Sequence, residues 1–354
     1  MRILHTADVH LRSEKDERWE ALHSIIKLAE KEKADAIAIS GDLFDRGVDA
    51  EKLRPAIRKL FSGSGSDIVL IPGNHDSDSY GGGLYFGEDI RVITDPFSPV
   101  IIEDVRIWGI PFQDLGTEDM AKLIKSFSGR IDSEKTDILL YHGELLDSFY
   151  SRRDFGDEGE HRYMPVKLSF FRDLEVDYVL AGHFHTRFQA WELQAGGFFV
   201  YPGSPVSITR RETGKRCVNI FDTGGEPREH FLETPYFEKL EVILNPLSGE
   251  NPLEEVKCAV EEVPPEASIL LTVGGYINSR EQDITENDLA KEIRRVCGER
   301  CPDAPEFLVR DIGNILSDGL FRSFERKLKE REYGEEFRGR VREIAIGAMM
   351  EAGQ

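Results

Sequence analysis

Residues 68–76, IVLIPGNHD, form a short apolar run that ends in a glycine and three polar residues. A run of four to eight apolar residues bounded by such turn residues is typical of a buried β-strand. The same arrangement occurs twice earlier, in RILHTADVH at 2–10 and in AIAISGDLFDR at 36–46. Stretches with helical spacing of apolar residues, at 17–33 and 51–61, separate the three runs. This part of the chain therefore predicts a βαβαβ unit whose strands end in polar side chains.

Further apolar runs of strand length follow, and several of them also finish on His, Asp or Gly. They are VRIWGI at 105–110, ILLY at 138–141, YVLA at 178–181 and FFVY at 198–201. Strands in this number predict one large sheet, or two stacked sheets, flanked by helices. In such architectures the functional groups gather at the carboxyl ends of the strands, so we expect the site there.

The pattern changes near residue 235. Residues 236–312 hold a second βαβαβ pattern without polar strings at the strand ends. From residue 313 onward, two amphipathic stretches on either side of Tyr333 and Gly334 predict a helical hairpin. We therefore expect three parts, at 1–235, 236–312 and 313–354.

Composition restricts the classes of protein to which the chain can belong. Hydrophobic residues make up 40% and charged residues 31% of its 354 residues, which excludes a largely disordered chain. The formal net charge of −21 excludes a protein that grips nucleic acid or an anionic membrane through an overall cationic field. We expect a globular protein whose contacts with any polyanion are local.

Cysteine usage and the first residues bear on the compartment. The four cysteines form no CxxC pair, so the sequence predicts neither a disulfide framework nor a structural zinc site, and it favours a reducing cytoplasm. The start of the chain, MRILHTADVH, has the pattern of a first buried strand and not of a signal peptide. No apolar stretch reaches the length of a membrane span, and we expect no membrane partner.

Five of the nine histidines lie in four short strings. The strings are DVH with Asp8 and His10, GNHD with Asn74, His75 and Asp76, YHGE with His142, and GHFH with His183 and His185; GDLFD, with Asp42 and Asp45, lies between the first two. A single histidine after a strand is usually structural, and GD is usually a turn. A purely structural interpretation would, however, have to account for five polar clusters at successive strand ends, in one order.

A metal site explains the whole set. In an extended segment alternate residues point the same way, so the pairs in DxH and HxH can each direct two ligands into one pocket. Mixed imidazole and carboxylate ligands suit Mn, Fe or Zn better than calcium. There are seven candidate ligands, too many for one tetrahedral zinc: Asp8, His10, Asp42, Asn74, His142, His183 and His185. Shared between two ions about 3.5 to 4 Å apart, they would form a site for hydrolysing phosphate esters.

The ordered blocks DVH, GD, GNHD, a lone His and GHFH resemble the signature of the calcineurin-like metallophosphoesterases. Within that superfamily, phrases such as AISGDLFDRG, LLYHGELL and YPGSPVSITRRETGK resemble the SbcD-type (Mre-eleven-like) DNA repair nucleases. The resemblance covers about 1–220 closely and the remainder by layout. It implies an α/β fold with a β-sandwich flanked by helices (four-layer αββα), a small α/β capping domain and a C-terminal helical element.

The resemblance also implies roles for the residues. One Mn²⁺ would be held by Asp8, His10, His185 and Asp42, and the other by Asn74, His142, His183 and Asp42. His75 would donate a proton to the leaving oxygen or stabilise the pentavalent phosphorus, with Asp76 orienting it. Relatives carry either His or Asp at the position of Asp45, which we therefore expect either to support the ligands or to be structural.

Six basic residues lie near these strings: Arg152, Arg153, Arg210, Arg211, Lys215 and Arg216. They are either solvated loop charges or contacts to the phosphates of DNA. The C-terminal hairpin either packs on the body or docks on the coiled coil of an SbcC-type ABC ATPase, as in related nucleases. The resemblance also implies a two-fold homodimer through the early helices.

Three functions remain open at this point. The leading one is a Mn-dependent DNA nuclease, an exonuclease or endonuclease that acts on duplex ends and single-stranded DNA in double-strand-break repair. The second is a two-metal phosphodiesterase for a small nucleotide, since the metal site recognises only the phosphate ester. The third is a non-catalytic DNA-end-binding subunit, which the intact set of ligands and His75 disfavours.

Overall fold

The computed structural model describes residues 1–45, 50–80, 86–131, 134–147, 163–246 and 249–352. These residues fall into two compact units, 1–237 and 238–354. The strands are β1 (Arg2–Thr6), β2 (Ala36–Ser40), β3 (Asp67–Ile71), β4 (Ile90–Val92), β5 (Val100–Ile102), β6 (Val105–Ile110), β7 (Thr136–His142), β8 (Tyr178–Gly182), β9 (Gln189–Glu192), β10 (Phe198–Tyr201), β11 (Cys217–Asp222), β12 (Arg228–Phe231), β13 (Tyr236–Leu244), β14 (Ala267–Ile277) and β15 (Glu306–Asp311). The α-helices are α1 (Glu17–Glu32), α2 (Ala50–Phe61), α3 (Thr117–Lys125), α4 (Pro252–Glu262), α5 (Ser279–Gln282), α6 (Glu286–Cys297), α7 (Gly313–Ser317), α8 (Gly319–Lys329) and α9 (Glu335–Ala352).

The first unit contains two six-stranded sheets, in the orders β12-β11-β1-β2-β3-β4 and β5-β6-β7-β8-β10-β9. Strands β1 to β4 run parallel to one another, and so do β6, β7, β8 and β10. Antiparallel strands complete the edges: β11 and β12 in one sheet, β5 and β9 in the other. Parallel strands end at the same edge of a sheet, so the polar residues that follow β1, β2 and β3 lie side by side.

Both faces of the two sheets are covered. One apolar layer lies between the sheets and includes Ile3, Val69, Ile138 and Leu180. Helices α1 and α2 cover the outer face of the first sheet, and α3 covers that of the second. Strands buried on both faces read as continuous apolar runs instead of alternating ones, which is why the runs stood out in the sequence. The predicted four-layer αββα fold is confirmed.

Helix α1 shows how local sequence sets an element. Its N-cap Asp16 accepts a hydrogen bond from the backbone N of Trp19 at 3.1 Å, which satisfies one of the free donors of the first turn. The apolar residues Leu22, Ile25 and Ile26 recur at helical spacing and are buried. The helix ends at Glu32, and its C-cap Lys33 is in the left-handed conformation.

The second unit is a three-stranded sheet, in the order β13-β14-β15, with helices. Strands β14 and β15 are parallel, and α4 and α6 pack on each other. The C-terminal helical element is present as α7, α8 and α9, with a small apolar cluster around Ile312, Phe321 and Ile346. No helix in the described part of the chain is both long enough and apolar enough to cross a membrane.

Candidate metal centre

All the predicted metal ligands come together in the first unit, in the segments that follow or end β1, β2, β3, β7 and β8. The cluster is almost wholly inside the protein, with Asp8, His10, Asp42, His142, His183 and His185 all buried. The backbone N of His183 donates to both carboxylate oxygens of Asp8 at 3.0 Å, which links the two sheets.

The backbone at this cluster is strained. Four residues of the cluster have positive φ values, in the left-handed region that residues other than glycine rarely adopt. They are Asp8 at 56°, His10 at 51°, Asp42 at 52° and His183 at 91°. Such residues cost about 1 to 3 kcal/mol each and concentrate at functional sites. Asp8 and His10 do share a pocket, as expected, but the predicted reason, an extended segment, is wrong. The chain turns sharply at both residues.

One half of the cluster contains Asp8, His10 and His185. Their ligand atoms lie within 4.8 Å of one another. His10 Nε2 is 3.3 Å from His185 Nε2, and His185 Nε2 is 3.7 Å from Asp8 Oδ1. Two ring nitrogens and a carboxylate oxygen therefore surround one small volume, a donor set that suits Mn, Fe or Zn.

The other half contains Asn74, His142 and His183. His142 Nδ1 donates to the carbonyl oxygen of Ser40 at 2.8 Å, which leaves Nε2 as an acceptor in the neutral ring. That Nε2 lies 2.8 Å from Asn74 Oδ1 and 3.2 Å from Asp42 Oδ2. The ring of His183 lies beside that of His142, with centroids 5.3 Å apart. Three acceptor atoms that face one another favour a cation between them, which is either a proton on His142 or a metal ion.

Asp42 joins the two halves. Its Oδ2 lies 3.8 Å from His10 Nε2 on one side and 3.2 Å from His142 Nε2 on the other, while Oδ1 accepts from the backbone N of His75 at 2.9 Å. Oδ2 is buried and makes no hydrogen bond of normal geometry to any described residue. A buried carboxylate oxygen of this kind is costly unless a cation satisfies it. The residues present therefore fit two metal ions with Asp42 between them.

The electrostatics of the cluster favour positive charge. Burial would lower the pKa of His142, but Asp42 and Asp8 raise it to about 10. Burial opposes protonation of His185 as well, and Glu212 and Asp8 raise the pKa of His185 to about 9. For His183, burial and the neighbouring His142 lower the pKa, which keeps its ring neutral. The carboxylates that raise the pKa of His142 and His185 also attract metal ions, and a bound metal would displace the protons from these two rings, because imidazole binds metal in its neutral form.

Two glycines of the motifs are required by close approach. A Cβ on Gly73 would lie 2.2 Å from Asp42 Oδ1, and a Cβ on Gly182 would lie 2.0 Å from the carbonyl oxygen of Ser40. Either contact would force the candidate ligands apart. The glycines of GNHD and GHFH therefore let neighbouring strand ends approach closely enough to form one cluster.

His75 lies at the edge of the cluster, with its side chain 13% exposed. Its ring centroid is 4.7 Å from that of His10, and its Nδ1 is 3.8 Å from Asp45 Oδ1. Asp45 also lies 3.4 Å from His10 Nδ1 and forms ion pairs with Arg12 and Arg18. Asp45 thus contacts both the candidate metal ligand His10 and His75.

Asp76 holds the loop that carries His75. One oxygen accepts from the backbone N of Gly73 at 2.7 Å, and the other accepts from Tyr80 Oη at 2.7 Å and Phe44 N at 3.2 Å. Burial and the charge of Asp42 raise the pKa of Asp76 to about 6. Asp76 therefore fixes the backbone of the loop that carries His75, and its role in orienting His75 stays a prediction.

The basic residues divide into three groups. Arg210, Arg211 and Lys215 are exposed. Arg216 is only 2% exposed, and its guanidinium donates to the carbonyl oxygens of His185, Thr186 and Ser204. The expectation that Arg216 contacts DNA is therefore wrong, because its charge is used inside the protein. Arg152 and Arg153 lie outside the described residues.

Glu212 is a residue that the sequence interpretation missed. It is buried, and its Oε1 lies 3.4 Å from His185 Nδ1, on the side of the ring away from the cluster. It is the one acid in the run TRRETGKR at 209–216. An acidic side chain among exposed basic ones is usually solvated, so the sequence gives little sign that Glu212 is buried. The one available signal is that Glu212 is the single acidic residue in a basic run.

Comparisons with known proteins identify the family of the chain. Residues 1–187 match the family model of the calcineurin-like phosphoesterases. A structure from Thermus thermophilus is similar at 16% identity and a TM-score of 0.43, over 61% of this chain and 92% of the other. A dimetal phosphatase from Danio rerio gives 10% identity and a TM-score of 0.40, over 62% and 91%. A purple acid phosphatase from yellow lupin (Lupinus luteus) seeds gives 14% and 0.39, over 62% and 48%. The match to the family model covers more than half of the chain, which therefore belongs to the calcineurin-like phosphoesterase family.

Proposed function

We propose that this protein is an SbcD-type DNA nuclease that uses two divalent ions, Mn²⁺ in preference to others, to hydrolyse DNA phosphodiesters during double-strand-break repair. The observation that carries the DNA assignment is a cationic loop attached directly to a candidate metal ligand.

We also propose a cytoplasmic location. All four cysteines are free thiols, which supports a reducing compartment.

The cationic loop comprises residues 208–215. Its exposed cations are Arg210, Arg211 and Lys215. The loop is tied to His185 at two points, through Glu212 and through the buried Arg216 that follows it. Exposed cations next to a phosphate-hydrolysing site contact the phosphates that flank the scissile one, which a substrate with a single phosphate lacks. The loop therefore favours a polymeric substrate.

The residues of the site account for the chemistry. Two divalent ions, when bound, supply charge neutralisation at the phosphate and a more acidic water molecule. His75 lies at the edge of the cluster, where its side chain is partly exposed and Asp45 lies on the Nδ1 side of its ring. From there it can donate a proton to the departing sugar oxygen. The burial of the ligands excludes bulk water from the reacting centre.

The replacement His75→Ala tests the assignment of the acid. We expect the metal content to stay at the wild-type value, while hydrolysis of linear duplex and single-stranded DNA falls by about 10²- to 10⁴-fold, the usual contribution of a general acid. Metal content and rates are measured with Mn²⁺, Mg²⁺ and Zn²⁺, and His23→Ala on α1 is the matched control.

Hydrolysis by the wild type separates the alternatives. Cleavage of bis-p-nitrophenyl phosphate without cleavage of either DNA would favour a small nucleotide substrate. Bound metal without hydrolysis of any phosphodiester would favour a non-catalytic DNA-end-binding subunit. A near wild-type rate in His75→Ala would contradict the role of His75.

The double variant Arg210→Ala/Arg211→Ala tests the cationic loop. DNA binding should weaken, and the slope of log affinity against log salt should become shallower by about 0.9 for each phosphate that the loop no longer neutralises. Binding to a labelled duplex is measured over a series of salt concentrations. The control is Lys122→Ala/Lys125→Ala, which removes two exposed cations from α3. An unchanged slope in the Arg210/Arg211 variant would contradict DNA contact by this loop.

We further propose that α8 and α9 dock on the coiled coil of an SbcC-type ATPase. Phe321 and Ile346 are buried in the second unit, whereas Leu320 and Ile344 on the same two helices are 71% and 72% exposed. Large apolar side chains with this exposure are the expected anchors of a helix-mediated contact.

The double variant Leu320→Ser/Ile344→Ser should therefore lose co-elution with the ATPase subunit while it keeps hydrolysis of bis-p-nitrophenyl phosphate. The matched control is Ile243→Ser, which removes an apolar side chain that is 59% exposed on β13. Retained co-elution in the double variant would refute docking through these helices.

A further inference from the structure

Glu212 lies beside the cluster, and both of its carboxylate oxygens accept several hydrogen bonds. Its Oε1 lies 3.4 Å from His185 Nδ1 and accepts from Thr209 N at 3.2 Å and Thr209 Oγ1 at 3.1 Å. Its Oε2 accepts from Ile208 N at 2.7 Å and from Ser204 Oγ at 3.0 Å. A charge that is 1% exposed is retained only when its oxygens are satisfied in this way. The network therefore fixes the carboxylate firmly in one position.

The contact with His185 determines which ring nitrogen faces the cluster. A carboxylate accepts and cannot donate, so Nδ1 carries the hydrogen in this contact. Nε2 is then the nitrogen available to the cluster, where it lies 3.3 Å from His10 Nε2 and 3.7 Å from Asp8 Oδ1. Histidines that bind metals are commonly held by a carboxylate on the other nitrogen, which orients the ring and makes it a stronger ligand.

The backbone of the same histidine is held by the same loop. Arg216 donates from Nε to the carbonyl oxygen of Ser204 at 3.0 Å and from Nη1 to that of Thr186 at 2.8 Å, and its Nη2 donates to the carbonyl oxygen of His185. Glu212 therefore holds the ring of His185 while Arg216 holds its main chain. The segment between them carries the exposed Lys215, and Arg210 and Arg211 directly precede Glu212.

We propose that Glu212 is a positioning residue for the metal centre, which makes His185 an Nε2 ligand and couples the cationic loop to the His185 half of the site. This inference rests on the metal centre of the proposed function. Because coupling between two sites is reciprocal, a change in the loop that moves Glu212 weakens metal binding at His185, and metal binding at His185 in turn restrains the loop.

The test is metal binding by Glu212→Gln, measured by titration calorimetry with Mn²⁺ and by the visible spectrum with Co²⁺. Gln keeps the size of the side chain but replaces one accepting oxygen with a donor. We expect one of the two ions to bind about 10- to 100-fold more weakly, the usual effect of losing such an orienting partner, and the other to be unchanged.

A double-mutant cycle with His185→Ala separates positioning from general support of the fold. If Glu212 acts through His185, Glu212→Gln should weaken metal binding no further in the His185→Ala background. The control Thr209→Val removes one hydroxyl donor to Glu212 but leaves the contact with His185, and its metal affinity should stay within about twofold of wild type.

The outcomes of these metal-binding measurements distinguish failure of the positioning role from failure of the proposed function. Unchanged affinity in Glu212→Gln, or an equal loss in both backgrounds, would overturn the positioning role. No bound metal in the wild type would instead refute the proposed function. The three tryptophans, Trp19, Trp108 and Trp191, all lie in the first unit and report whether a variant folds. If Glu212→Gln is unfolded, Glu212→Asp, which draws the carboxylate back by one methylene, is tested with the same expectation.

Discussion

Two buried carboxylates, Asp8 and Asp42, impose the constraint on which the rest of the site depends. Each lies between the ends of strands from both sheets, Asp8 is wholly buried, and Asp42 is 1% exposed. Removing two negative charges from water is expensive, and backbone donors and imidazole rings offset only part of that cost. The remaining cost explains why the surrounding atoms are acceptors directed at the same points and why the cluster favours cations.

Other features of the fold follow from holding these charges in place. The strand ends must approach within contact distance, which requires Gly73 and Gly182, and the chain must turn sharply at Asp8 and Asp42. The stacked sheets provide a rigid frame that keeps this strained backbone in position. The apolar layer between the sheets therefore serves the site as well as stability.

The sequence predicted the four-layer fold because strands buried on both faces leave continuous apolar runs, and it predicted the cluster because the polar strings lie at strand ends. It did not predict the roles of Glu212 and Arg216. Whether a charged side chain is solvated or buried depends on contacts such as those with His185 and Ser204, which are distant in sequence. It also suggested the wrong reason for the proximity of Asp8 and His10, since local periodicity does not report a left-handed turn.

The net charge of −21 and a DNA substrate are compatible once charge is considered locally. The acidic total excludes attraction over a long range, whereas exposed cations on a loop fixed to His185 act within a Debye length of about 8 to 10 Å. Part of the acidic charge, at Asp8 and Asp42, is buried in the cluster itself. The proposed contact with DNA would therefore be weak and local.

The most direct test of the metal centre is an anomalous difference map from crystals of the protein grown with saturating Mn²⁺. We predict two peaks about 3.5 to 4 Å apart, as in two-metal sites generally. One should lie beside Asp8, His10 and His185, the other beside Asn74, His142 and His183, with Asp42 between them. No peak, or a single peak, in this cluster would contradict a two-metal site.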